Sequence, residues 1–136
     1  MDAVVQAAMD ARKRARAPYS GYTVGAAVKT TTGAIVRGSN VEASSLGLTT
    51  CAERVALTSA VARGHRSFAS LAVASRDGAP PCGGCRQIIW DLCGDIPIRL
   101  VNGNGEVETV TTRQLFPRPF GDTHLSPSPP PGKPEK

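Results

Sequence analysis

The sequence predicts an α/β protein, a three-layer α-β-α sandwich around a mixed five-stranded sheet. Two observations carry this. Segments of helical periodicity alternate with short apolar runs in the order helix, two strands, helix, strand, helix, strand, strand, helix. Such an order places helices against a sheet rather than against one another. The chain of 136 residues, 40% of them hydrophobic and 20% charged, also has an ordinary one-domain composition and is long enough to bury a substantial core.

Residues 3 to 15 carry Val4, Val5, Ala8, Met9, Ala11 and Ala15 at spacings near three and four, which predicts a first helix ending before Pro18. Two apolar runs, 24–28 and 34–36, flank a polar turn with Gly33 and read as a hairpin. A second helix over 52–63 follows from apolar positions 52, 55, 56, 57, 60 and 61, with Gly64 as its stop. "SFASLAVAS" reads as a buried third strand. In "CGGCRQIIWDLCGD", Ile88, Ile89, Leu92 and Cys93 mark one face of a third helix that Gly94 ends. "IPIRLVN" and "GEVETVT", divided by an "NGNG" turn, are the fourth and fifth strands, and "TRQLFP" is a short last helix. Residues 1–122 then form one folded domain. Residues 123–136, with five prolines and no apolar periodicity, form a disordered tail.

No run of about 18 apolar residues is present, and acids at positions 2 and 10 argue against an N-terminal signal. A soluble, cytoplasmic protein without membrane contact is expected. The net charge of +5 raises the question of a nucleic-acid partner. Four basic residues concentrate in "RKRAR" at 12 to 16, but only Tyr19 and Tyr22 lie nearby as aromatics, so this is read as a solvated helix face.

In a reducing compartment, cysteines with motif spacing point to a metal or to catalysis. Cys51 opens the second helix, and Cys82 and Cys85 open the third. A Cys-x-x-Cys pair alone serves structural zinc, redox couples or plain packing. A third thiol at the other entrance disfavours the redox reading, and no well-placed fourth ligand closes a structural site. Cys93 fits a small core residue, and His65 and His124 fit solvated histidines. Three ligands with an open fourth position are what a catalytic Zn²⁺ requires, since the vacancy holds a water whose pKa falls toward about 7. Glu53, two residues beyond Cys51, suits proton transfer beside it. Three thiolates leave the metal site formally negative. Helix N-termini compensate, and Arg54 either donates to a ligand sulfur or is a surface arginine.

"TCAERVAL" and "PPCGGCRQ", together with "APYSGYTVGAAV", "GSNVEASSLGLT" and "QLFPRPF", resemble the small, homotetrameric class of zinc-dependent cytidine deaminases, over residues 10 to 121. The resemblance implies a cytidine deaminase-like fold, one Zn²⁺ per subunit on Cys51, Cys82 and Cys85, and Glu53 as proton shuttle. It assigns the ribose hydroxyls to Asn40 and Glu42, a pairing that bare chemistry supports, because an amide and a carboxylate two apart on a strand end face the same way. It further implies that Tyr22 and Phe120 flank the pyrimidine, Phe120 from a neighbouring subunit, and that the Ala52 carbonyl meets the amino group. A cysteine as first ligand is similar to the nucleoside branch, so a nucleic-acid substrate is not expected.

Two departures bear on substrate choice. Ala43, Ser44, Ser45 and Leu46 replace the family's usual asparagine, alanine, small residue and tyrosine, and Tyr22 stands where phenylalanine is usual. Deamination of cytidine and 2′-deoxycytidine is therefore expected first. A modified cytosine nucleoside, as for blasticidin-type deaminases, is the second reading, and a non-catalytic nucleoside-binding or structural zinc protein the third.

Overall fold

The computed structural model describes residues 2–125. Its elements run α1 (Ala3–Arg12), β1 (Gly25–Thr30), β2 (Ile35–Ser39), a 3-10 turn (Leu46–Leu48), α2 (Ala52–Ala62), β3 (Phe68–Ala74), α3 (Gly83–Cys93), β4 (Pro97–Val101), β5 (Val107–Thr111), α4 (Thr112–Leu115) and a second 3-10 turn (Asp122–His124). The strands form one sheet in the order β2-β1-β3-β4-β5. Within this sheet β3 and β4, joined through α3, pair in parallel and the other neighbouring strands antiparallel, so the sheet is mixed as the element order implies.

The period of two along the strands sorts the core into two layers. Ala26, Val28, Leu71, Val73, Ile98 and Leu100 point toward Ala56, Leu57 and Ala60 of α2 and Ile89 of α3. Their alternates Ala27, Ala72, Ala74 and Val101 point to the other face, against Val4, Val5, Ala7 and Ala8 of α1. Leu57, Leu71, Ile89 and Ile98 are fully buried, and each contributes about 1.5–3 kcal/mol by leaving water.

Two glycines set how closely helices approach the sheet. A Cβ on Gly25 would collide with the backbone of Ala8 and Arg12 in α1, and one on Gly38 with the backbone of Ala52 and Ala56 in α2. Gly38 therefore lets the first turn of α2 rest directly on β2.

Several boundaries differ from the sequence expectation. α1 stops at Arg12 rather than residue 15, because Arg16 leaves the helix to bond the 40–42 segment: its N–H donates to the Asn40 carbonyl at 2.9 Å, and its carbonyl accepts from Glu42 N–H at 2.8 Å. β1 is shifted to Gly25–Thr30, and β2 runs on to Ser39 through polar residues, because it is an edge strand with Arg37 exposed and Val36 and Gly38 buried. α4 is a single turn closed by a capping box between Thr111 and Gln114. Thr123 and His124, assigned by sequence to the tail, lie in the last 3-10 turn, where the His124 ring stacks on Phe120 at 5.0 Å and its Nδ1 accepts from Gly121 N–H. The rest of the expected tail, 126–136, lies outside the described residues. Among those described, no helix is long and apolar enough to cross a membrane.

Candidate active site

The registers bring one edge of the sheet together. Gly25 pairs with both Ser39 and Ala74, so the start of β1, the end of β2 and the end of β3 lie side by side. Just beyond that edge stand Val24, Asn40 and Ser75, and the N-termini of α2 and α3 open over them. These walls enclose a cavity of about 230 Å³.

Cys51 is the N-cap of α2, Cys82 is the N-cap of α3, and Cys85 lies in the first turn of α3. Neither N-cap thiol caps a backbone N–H of its own helix, which leaves the sulfurs free to act as ligands. Cys51 Sγ and Cys82 Sγ are 3.9 Å apart, Cys82 Sγ and Cys85 Sγ 3.5 Å, and all three lie within 4.8 Å of one another. Tetrahedral thiolates on Zn²⁺ at about 2.3 Å require edges of about 3.8 Å. The donor set is soft and the spacing matches, so the cluster fits one Zn²⁺. Cys93 does not join it; it packs against the main core, where burial pushes its thiol up to about 12.

The cluster is electrostatically uneven. A hydrogen bond from the Cys85 thiol, reinforced by Arg54, brings Cys51 down to about 5, while the same bond and burial push Cys85 up. Arg54 Nη2 reaches both Cys51 Sγ and the Thr49 carbonyl at 3.3 Å, and its buried Nε has no partner among the described residues. Of the two sequence readings for Arg54, the structure gives the donor to sulfur.

Glu53 is 4% exposed in the first turn of α2 and lines the same cavity as Cys51 and Cys82. Burial raises its pKa, favouring the protonated carboxyl more than in water. Ala52 also lines the cavity, fully buried.

Asn40 faces the cavity but is already engaged: its Oδ1 accepts from Val24 N–H at 2.9 Å and its Nδ2 donates to the Tyr22 carbonyl at 2.9 Å. One N–H and one lone pair remain for a ligand. Glu42 is tied to the 19–20 loop, accepting from Tyr19 and Ser20 N–H at 3.0 and 3.1 Å and from the Ser20 hydroxyl, which holds its carboxyl below the usual range. Tyr22 lines the cavity. Phe120 stands apart, 50% exposed, with its carbonyl accepting from Gln87 Nε2 at 2.8 Å.

Residues that sequence reasoning did not reach complete the wall: Val24, Thr49, Val73, Ser75, Ala79 and Pro80. A signal was present for Ser75 and Ala79, since loops after the carboxyl end of a parallel strand are where α/β sheets bind ligands.

A mixed α/β sandwich that sets two thiols of a three-cysteine cluster and a buried carboxylate at one cavity defines a zinc-centred enzyme site. Residues 1–96 match the model of the cytidine and deoxycytidylate deaminase zinc-binding region. The chain is 44% identical over 119 residues to a cytidine deaminase of Sporosarcina psychrophila, covering 85% of this chain and 88% of that one. It is similar to the crystal structure of cytidine deaminase from Burkholderia pseudomallei, with TM-score 0.83 and 43% identity, over 87% of this chain and 97% of that one. A blasticidin-S deaminase of Bacillus cereus is 33% identical over 106 residues, 71% of this chain and 75% of that one. The chain belongs to the cytidine and deoxycytidylate deaminase zinc-binding family.

Proposed function

We propose that the protein hydrolytically deaminates cytidine and 2′-deoxycytidine to uridine and 2′-deoxyuridine with release of ammonia. The observation that carries this reading is the Glu53 carboxyl, buried in the same cavity as the thiol cluster. A purely structural zinc site has no use for such a group.

Cys51, Cys82 and Cys85 would hold the metal, with Arg54 offsetting their negative charge. Bound there, Zn²⁺ supplies the Lewis acidity that makes water a competent nucleophile near neutral pH. Glu53 does the proton work. As carboxylate it takes a proton from the attacking water and delivers it to N3, and it then takes the second proton from the new C4 hydroxyl and delivers it to the departing amine. Its pKa, raised by burial, helps it hold the proton taken from water until that proton is delivered. The Ala52 carbonyl orients the amino group, Asn40 and Glu42 receive the ribose diol, and Tyr22 forms one wall beside the base.

Phe120 is assigned to a neighbouring subunit's pocket within a homotetramer. Its half-exposed ring outside its own cavity, and the exposed Leu46 and Leu48, support such an assembly. A monomer by light scattering would overturn it. Four free cysteines suit a reducing, cytoplasmic setting and a role in pyrimidine salvage. Residues 1–122 act as the catalytic unit, with 123–136 as an appendage.

The substitution of the usual tyrosine by Leu46, which is 64% exposed, keeps a modified cytosine nucleoside as the second reading. Zinc-loaded protein should convert cytidine to uridine, followed by loss of absorbance, and prefer it over blasticidin S at equal concentration. Preference for blasticidin S would exchange the two readings, and absence of turnover on both would refute the enzyme.

A further inference from the structure

Tyr22 is held at the cavity by more than its backbone. Its hydroxyl donates to Asp77 Oδ1 at 2.5 Å, and the Arg76 guanidinium lies over its ring, 5.0 Å from the centroid. Asp77 Oδ1 also accepts from the Ser75 hydroxyl at 3.2 Å, and Ser75 Oγ accepts from Ala79 N–H at 3.1 Å. Asp77 itself is anchored by a backbone bridge to Asn102, just past β4. Tyr22, Ser75 and Ala79 all line the cavity, whereas Asp77 lies outside it. One carboxylate thus ties the segment leading into β1 to the loop between β3 and α3, two walls separated by 55 positions in the chain.

We propose that Asp77, with Arg76 stacked above, is a positioning residue that fixes the Tyr22 ring as a preset wall of the nucleoside pocket. A tyrosine lining a cavity without such a bond would exchange among rotamers, and a ligand would have to order it on binding. With the hydroxyl pinned and one face covered by Arg76, that ordering is complete before the nucleoside arrives. The hydroxyl at position 22 therefore has a purpose that a phenylalanine could not serve. Burial raises the pKa of Tyr22 and the bond to Asp77 raises it further, while the same bond lowers Asp77.

The kinetic arm of the test rests on the deaminase reading; the spectroscopic arm does not. Asp77→Ala should raise KM for cytidine by about twofold to fivefold, with kcat within about twofold. Tyr22→Phe should raise KM by a similar factor. The double variant should be no worse than the poorer single one, since each removes the same bond. Asp77→Asn keeps an acceptor and should stay closer to the parent. Tyr19 and Tyr22 are the chain's two tyrosines, so ultraviolet titration, with Tyr22→Phe isolating Tyr19, reads Tyr22 directly. Asp77→Ala should lower its midpoint. An unchanged midpoint and KM in Asp77→Ala, losses that multiply in the double variant, or a loss confined to kcat would each overturn the proposal. If the zinc-loaded parent turns over no cytidine, the deaminase reading falls and the titration decides alone: a lowered midpoint sustains the positioning role and an unchanged one refutes it.

Discussion

One side of the site is carried by the entrances of two core helices, whereas the other is carried by loop segments tied together through side chains. On the helix side, Cys51, Cys82, Cys85 and Glu53 take their places from the N-termini of α2 and α3, and these helices bury Ala56, Leu57 and Ile89 against the sheet. On the loop side, Asn40 bonds Tyr22 and Val24, Glu42 bonds the 19–20 loop, and Asp77 bonds Tyr22. The contrast teaches that the proposed chemistry rests on helices packed into the core, and the proposed nucleoside contacts on ties between loops.

The comparison can be broken first on the helix side. Cys82→Ser removes a thiolate from the cluster and should abolish both metal retention and turnover, with metal content read by atomic absorption. Retained stoichiometric zinc would show that the other two thiols suffice. Next, Gly38→Ala forces a Cβ into the backbone of Ala52 and Ala56 and must push α2 off β2. It should cost about 1–3 kcal/mol in denaturant unfolding and depress activity further than its stability loss explains, because Cys51 and Glu53 travel with that helix. An unchanged midpoint would mean the helix has slack that the structure does not show.

On the loop side the effects should be of another kind. Asn40→Ala leaves Val24 N–H and the Tyr22 carbonyl without partners, which should cost about 1–3 kcal/mol and raise KM more than it lowers kcat. A pure kcat defect would place Asn40 with the helix side instead. The last effect lies away from both and is absent at neutral pH. Cys93 has its thiol raised from 9.0 to about 12 by burial, so the folded chain keeps a proton that the unfolded chain gives up. Stability should therefore fall as pH rises from about 9 to about 12. Cys93→Ala should flatten this part of the pH profile relative to the parent, and an unaltered slope would show that other groups set it.

The same division decides what the sequence could tell. The thiols announced themselves because Cys82 and Cys85 are three apart on one helix turn and Cys51 opens another, and local periodicity fixes all three placements. The helices and the strand count were legible for the same reason. β2 was read too short because an edge strand with one solvated face alternates Arg37 and Ser39 with Val36 and Gly38, leaving no apolar run to see. α1 was read too long because nothing local shows Arg16 leaving to pair with residues 40–42. Long-range ties were the least visible: Asn40 was expected to serve a ligand, yet half its capacity holds the chain, and Asp77 meets Tyr22 across 55 positions. Family resemblance supplied Tyr22, Ala52 and Phe120, but no pattern in the residues indicated what fixes Tyr22 in place.

The most direct test of the central claim is to compare the parent with Glu53→Gln for zinc content and cytidine turnover on the same preparations. The amide preserves shape but cannot carry protons, so zinc should stay stoichiometric and kcat should fall by about 10²–10⁴-fold. Near-normal turnover with full zinc would contradict the role of Glu53 as the proton carrier of this site.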